Sequence, residues 1–299
     1  MRQKSWLLCK NQIHQLDLFH ISHYLQRLSV DRLDQKTIQF IELFEEVKNH
    51  WEDTFYHSLC YCMGLKLNSD VFLKLSKRLP ISIIKKHQNN LMQVEAMLFG
   101  TAGFLNDVKD HYGYTLKKEF EFLKYKYSIE ELDESEWTFL RLRPTSFPTI
   151  RLAQLAKLLT AQPNIFSKIL DCSNYLHLKK LFQIKIDDGY WLNHYHLKKP
   201  SAKRTKSLGN QWLNTLIINS ICPLLFIYAK RKGQFEFQER SLNLLQEIDA
   251  ENNVITRQFQ KFGVTPRNAS ESQGLLQLKT AYCDAKKCLN CNIGSKLLS

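Results

Sequence analysis

Apolar side chains recur at i, i+3, i+4 and i+7 through most of the chain, the spacing that lines one buried face of a helix. In DQKTIQFIELFEEVKNH the stripe is Ile38, Ile41, Phe44 and Val47, with Leu43 beside it. WEDTFYHSLCYCMG follows and closes on Gly64, a C-terminal stop signal. SDVFLKLSKRL, with Ser69 or Asp70 as N-cap, PISIIKKH, NNLMQVEAMLFGTAGFL and YTLKKEFEFLKYKY come next, each bounded by polar caps, Gly or Pro. PTIRLAQLAKLLTA places Pro148 at a first helical position, where its missing N–H costs nothing. Further helical patterns run through NIFSKIL, NYLHLKKLF, QERSLNLLQEI, NNVITRQFQKFG and SQGLLQLKTAYC.

Residues 183–209 break the pattern. They hold a short alternating run, the turn signal Asp187–Asp188–Gly189, and a tail with Lys198, Lys199, Lys203, Arg204 and Lys206 and no acid among them. The expectation is an all-α, multi-helix globular domain spanning 1–299, with one irregular basic loop or small hairpin around 183–209. The run LNTLIINSICPLLFIYA (213–229) falls short of the roughly 20 residues of a membrane span and contains Asn214, Asn219, Ser220 and Pro223. It reads as a Pro-kinked core helix, with no membrane involved. Composition agrees with long helices: 10 glycines and 7 prolines are about half of average usage, so turns are few.

Charge changes the picture. Residues 1–150 carry 20 basic and 19 acidic side chains, whereas residues 151–299 carry 22 and 10. A field confined to one half points to a polyanion, DNA or RNA. Arg141, Arg143 and Arg151 stand among Phe139, Phe147 and Pro148, the basic and aromatic mixture that grips a phosphate backbone while stacking on bases. The competing reading pairs these arginines with the acidic run Glu130–Glu136.

The N-terminus lacks the apolar run of a secretory signal, which makes the cytoplasm the expected compartment. There, clustered cysteines read as metal ligands or catalysts. YCDAKKCLNCNIG spaces Cys283, Cys288 and Cys291 as C-x4-C-x2-C, and Lys286 and Lys287 would favour their thiolates. A fourth ligand has to come from elsewhere. Cys9, in an N-terminal arm (1–30) free to dock near 283–291, is the choice over Cys60, Cys62 and Cys222, which read as ordinary buried thiols. Either an iron–sulfur cluster or zinc fits this set. Three clustered ligands and one remote favour the cluster, since structural zinc more often uses two C-x2-C pairs. Zinc would further require all four sulfurs within roughly 4 Å of one another, given Zn–S bonds of about 2.3 Å.

Read together, FLRLRPTSFPTIRLAQLA (139–156), the YW-x2-HY of Tyr190–Tyr195, INSICPLLFIYA (218–229) and QLKTAYCDAKKCLNCNIG (277–294) resemble the bacterial domain-of-unknown-function family 2851. WEDTFYHSLCYCMGLKLN and KHQNNLMQVEAMLFGTAGFL extend the resemblance over nearly the whole chain. It implies that the W-x2-C of Trp6–Cys9 and the three C-terminal cysteines belong to one pattern from which Cys60, Cys62 and Cys222 are absent. It also implies a restriction-endonuclease-like segment upstream in longer members, so that this chain looks like the C-terminal part of such an architecture, beside a nuclease-like partner domain. Exonucleases of CRISPR systems and of recombination helicases resemble this plan by analogy.

Other chemistry is sparse. Glu95 is a charge inside an apolar helix, a functional carboxylate or one paired with a base. His194 and His196 would share a face only on a strand, and read as packing residues. There is no G-x-G-x-x-G, P-loop or G-x-S-x-G, and no catalytic residue is assigned. The expected function is a helical nucleic-acid-binding or accessory module with a structural four-cysteine metal site, not catalytic as this chain alone. The alternative is a metal-free helical scaffold for protein partners.

Overall fold

The computed structural model describes residues 6–197 and 199–298. It is 66% helical and 4% strand, which makes the protein all-α as the periodicity predicts. Read from sequence as one unit, the chain divides by its contacts into two compact ones: the N-terminal segment to Glu42 with the segment from Ile221 on, and Leu43–Ser220.

In the Leu43–Ser220 unit, helix Trp51–Met63 packs on Ser69–Arg78 and Pro148–Ala161, and Leu91–Thr101 packs on His111–Tyr127 and Pro148–Ala161. Pro148 is the first residue of its helix, as expected. Two sequence details differ. The helix after Met63 is capped by Asn68, one residue before Ser69 and two before Asp70, with no side-chain bond. Gly64 is not left-handed; a Cβ there would lie 2.4 Å from the Asn68 carbonyl, so close approach of the chain is what excludes a side chain.

The irregular stretch folds as two nested ribbons. Lys185–Ile186 pairs antiparallel with Lys206–Ser207, and His194–His196 pairs antiparallel with Lys199–Pro200. The run 213–229 lies within Asn210–Lys232, which is apolar enough to cross a membrane by composition, yet its most apolar window is 78% buried inside the protein. Its irregularity is a π segment, Ile217–Ile221, directly before Pro223 in the first turn of Cys222–Lys232. Proline removes a backbone donor, and widening the preceding turn absorbs the mismatch.

In the other unit, helix Phe235–Glu247 packs on Cys222–Lys232 and on Ala269–Gln277, and Val254–Lys261 also packs on Ala269–Gln277. Buried polar groups fix Ala269–Gln277 to helix Leu18–Glu46: Glu271 accepts from Ser22 at 2.7 Å, and Arg32 and Lys36 both donate to Gln273 at 2.8 Å. Between these elements lies a core of Leu7, Ile13, Ile21, Tyr24, Leu25, Leu28, Phe259, Leu275, Leu278, Cys291 and Ile293. The N-terminal arm and the C-terminal cysteine motif therefore belong to the same core.

Candidate four-cysteine centre and basic face

The arm is anchored by its aromatic residue. Trp6 sits edge-on to Phe259 with ring centres 5.2 Å apart and 5.9 Å from Phe262. Past it, the Cys9 carbonyl accepts from Gln12 and Ile13 at 3.0 and 2.9 Å, a tight turn that leads into the short helix Ile13–Gln15 and holds the Cys9 side chain in place.

The other three cysteines come from a π segment and a turn. Leu278–Cys283 extends helix Ala269–Gln277 as a π stretch, a distortion common at functional sites. Lys286 takes the left-handed conformation (φ 54°) that reverses the chain. Cys288–Asn290 form a single 3-10 turn, and the Cys288 carbonyl accepts from Cys291 at 3.2 Å. Helix Asn292–Leu298 then passes so close that a Cβ on Gly294 would lie 2.2 Å from that same carbonyl oxygen.

The result is a cavity of about 280 Å³ lined by Cys9, Cys283, Cys288 and Cys291, with Leu7, Leu8, Tyr282 and Gly294 among its walls. Burial pushes the Cys283 thiol up to about 12, with Cys291 and Cys9 adding to the effect and Lys279 opposing it. Cys9 is raised by burial and then by Cys291. Thiolates at these positions therefore repel one another, which a bound cation relieves. The nearby counter-charge is Lys279, itself buried, with its ammonium 4.8 Å over the Trp6 ring and an ion pair to Asp284. Lys286 and Lys287, assigned that role from sequence, are exposed.

Among the described residues no three Cys, His, Asp or Glu side chains close on a point that would hold one metal ion. A cavity needs only roughly 10–15 Å³ to admit one water, and this one is far larger.

Cys60 and Cys222 are fully buried, and Cys62 nearly so, in ordinary helix packing, and none of them lines this cavity.

The basic residues sort differently. Arg141, Arg143, Lys199, Lys203 and Arg204 are exposed and pair with no carboxylate among the described residues; Lys198 lies outside the described residues. The acidic run spends its charge on lysines instead: Glu136 on Lys74 at 2.7 Å and Glu131 on Lys124 at 2.5 Å. Two of the expected members are removed. Lys206 is buried, donating to the Trp191, Leu192 and Arg204 carbonyls at 2.5, 2.9 and 3.2 Å with its ammonium 4.2 Å over Tyr195, so it cannot reach a phosphate. Arg151 is 8% exposed and bonded to Gln154 at 3.2 Å, and burial lowers it to about 10.

The two basic segments, remote in sequence, abut in space. The Phe139 ring lies 5.2 Å from Phe147 and 5.3 Å from His196, and Thr149 donates to the Tyr195 carbonyl at 2.6 Å. His194 stacks flat on Tyr190 at 3.8 Å. Both histidines lie in the strand His194–His196, each against an aromatic ring. Glu95 accepts from the Tyr112 hydroxyl at 2.5 Å rather than pairing with a base.

Sequence reasoning missed Lys279 and Gly294. Lys279 stands one helical turn before Cys283, a readable signal.

No curated protein and no solved structure matches the chain significantly. The match to a family model ends at residue 254, so it takes in Cys9 and the basic face but stops short of Cys283, Cys288 and Cys291. That model, for a protein of unknown function (DUF2851), covers residues 1–254, and the chain belongs to this family.

Proposed function

We propose that the protein is a nucleic-acid-binding accessory module that holds an iron–sulfur cluster on Cys9, Cys283, Cys288 and Cys291. The observation that carries the reading is the four-cysteine cavity: thiols from opposite ends of the chain line one space larger than an ion and next to a buried cation. When bound, the cluster would cross-link the arm to the last helix, and metal binding of this kind is folding free energy. The cysteines would be thiolate ligands, Lys279 would offset their charge, and Gly294 keeps a side chain out of the space.

Nucleic-acid binding is supported by the exposed Arg141, Arg143, Lys199, Lys203 and Arg204, which meet no carboxylate among the described residues, on segments joined through Phe139 and His196. Such a face makes phosphate contacts and few base-edge contacts, so binding would be sequence-tolerant. A nuclease-like domain upstream remains part of the proposal as its source of catalysis.

The test is anaerobic purification of the chain with assays of iron and acid-labile sulfide and a visible spectrum. A brown protein with stoichiometric iron and sulfide supports the reading. Colourless protein that takes up neither iron nor sulfide on reconstitution sinks it and favours the metal-free scaffold.

A further inference from the structure

Residues 139–142 form a tight turn, closed by the Leu142 N–H donating to the Phe139 carbonyl at 3.2 Å. Arg141, third of its four residues, has φ 65°, a conformation that at this place in a turn favours glycine or asparagine. Backbone strain of this kind gathers where a ligand is met. Leu140 beside it is 76% exposed, the one large apolar side chain left in water among the described residues of 139–151 and 190–207. Behind this tip, Phe139, Phe147 and His196 are each half-buried. His196 pairs with Lys199 across the ribbon, so the three rings lie where the two groups of exposed cations meet.

A ligand for such a face has to offer anions and apolar surface in close alternation. Duplex DNA does not, because its phosphates lie outside while the faces of its bases are hidden in the stack. A bilayer calls for a broad apolar face, and a single leucine is not one. A single strand alternates phosphates with bases whose faces are open, and aromatic rings among cations are what such strands stack on. We infer that this face takes single-stranded nucleic acid in preference to duplex, with unpaired bases packing on Leu140 and on the exposed parts of the Phe139, Phe147 and His196 rings while the cations hold the phosphates. The inference rests on the nucleic-acid reading above and narrows it to one ligand class.

The experiment is fluorescence anisotropy at low salt with the full chain and two labelled probes, an oligothymidylate of about 16 nucleotides, long enough to fill one such site, and a duplex of equal length. The natural chain should hold the oligothymidylate roughly tenfold tighter than the duplex, since stacking contributes a factor of about five or more per base. Leu140→Ser and Phe139→Leu should each lose roughly fivefold on the single strand and keep their duplex affinity. Arg141→Gly relaxes the turn, so it should lower the single-strand salt slope by about 0.7 at an unchanged or higher melting temperature. Duplex bound as tightly as the single strand, or variants that weaken both probes equally, would overturn the inference and leave nucleic-acid binding standing. Binding of neither probe would remove both, and sedimentation of the protein with phosphatidylglycerol vesicles in that case would assign the face to a membrane. Should Phe139→Leu not fold, Leu140→Ser decides alone, because its side chain stands in water.

Discussion

A Cβ on Gly274 would lie 2.2 Å from the carbonyl oxygen of Leu25, so helices Leu18–Glu46 and Ala269–Gln277 touch backbone to backbone there. This contact sets Tyr24, the neighbour of Leu25, beside the π segment that ends at Cys283. Gly274→Ala must push two backbones apart, and overpacking of this kind costs roughly 1–3 kcal/mol or more. We expect a lower melting temperature and a reduced iron load on reconstitution. Gly209→Ala, where nothing lies within 4 Å, should change neither. Circular dichroism and an iron assay on the two variants check this.

Cys288→Ser should abolish iron binding and lower the melting temperature of anaerobically prepared protein, because a ligand bound only by the folded state stabilises it by mass action. Cys62→Ser should retain iron, since Cys62 is buried away from the cavity on helix Trp51–Met63. Equal iron contents in the two variants would remove Cys288 from the ligand set.

The helices were legible because burial on one face imposes a period of 3.6, although on Leu18–Glu46 the buried face runs through Leu33, Thr37, Phe40 and Phe44, and Ile38 of the expected stripe is 58% exposed. The C-x4-C-x2-C spacing was legible for a similar reason, since converging ligands on one turn must be close in sequence. Pairing Cys9 with that turn required tertiary reasoning, and the aromatic anchor at Trp6 is the physical cause. The basic set was only partly legible. A lysine looks the same in sequence whether it meets a phosphate or caps three carbonyls, as Lys206 does. The π segment in Asn210–Lys232 shows in sequence only as a proline.

Each phosphate contact removed from the basic face should lower the magnitude of the salt slope of DNA binding by about 0.9. Arg143→Ala and Lys203→Ala, measured by fluorescence anisotropy over a range of salt, should each do so with the fold intact. Lys206→Met should behave otherwise. It strands three carbonyls and loses the contact with Tyr195, so it should destabilise the ribbon by roughly 1–3 kcal/mol with the salt slope unchanged in the folded protein. A slope that falls for Lys206→Met and not for Arg143→Ala would reverse the assignment.

Glu95 makes the stability of the Leu43–Ser220 unit depend on pH. Burial raises the Glu95 carboxyl from its ordinary 4.5 to about 7, against the lowering effect of the Tyr112 hydroxyl. The folded protein thus holds a proton that the unfolded chain releases between these two values. The stability contributed by protonated Glu95 is complete below about pH 4.5 and is lost as pH rises through about 7, with a total on the order of 3 kcal/mol at 1.36 kcal/mol per pH unit. Glu95→Gln keeps an uncharged group of the same shape, so it should flatten that part of the profile and gain most, relative to the natural chain, above pH 7. Tyr112→Phe should act in the opposite sense: it removes the donor that favours the charged form, so the natural loss of stability at high pH deepens. Denaturant melts of the three proteins at pH 5.5 and pH 8 measure both effects. A difference between natural chain and Glu95→Gln that does not change between these pH values would show that the carboxyl is already ionised within the fold.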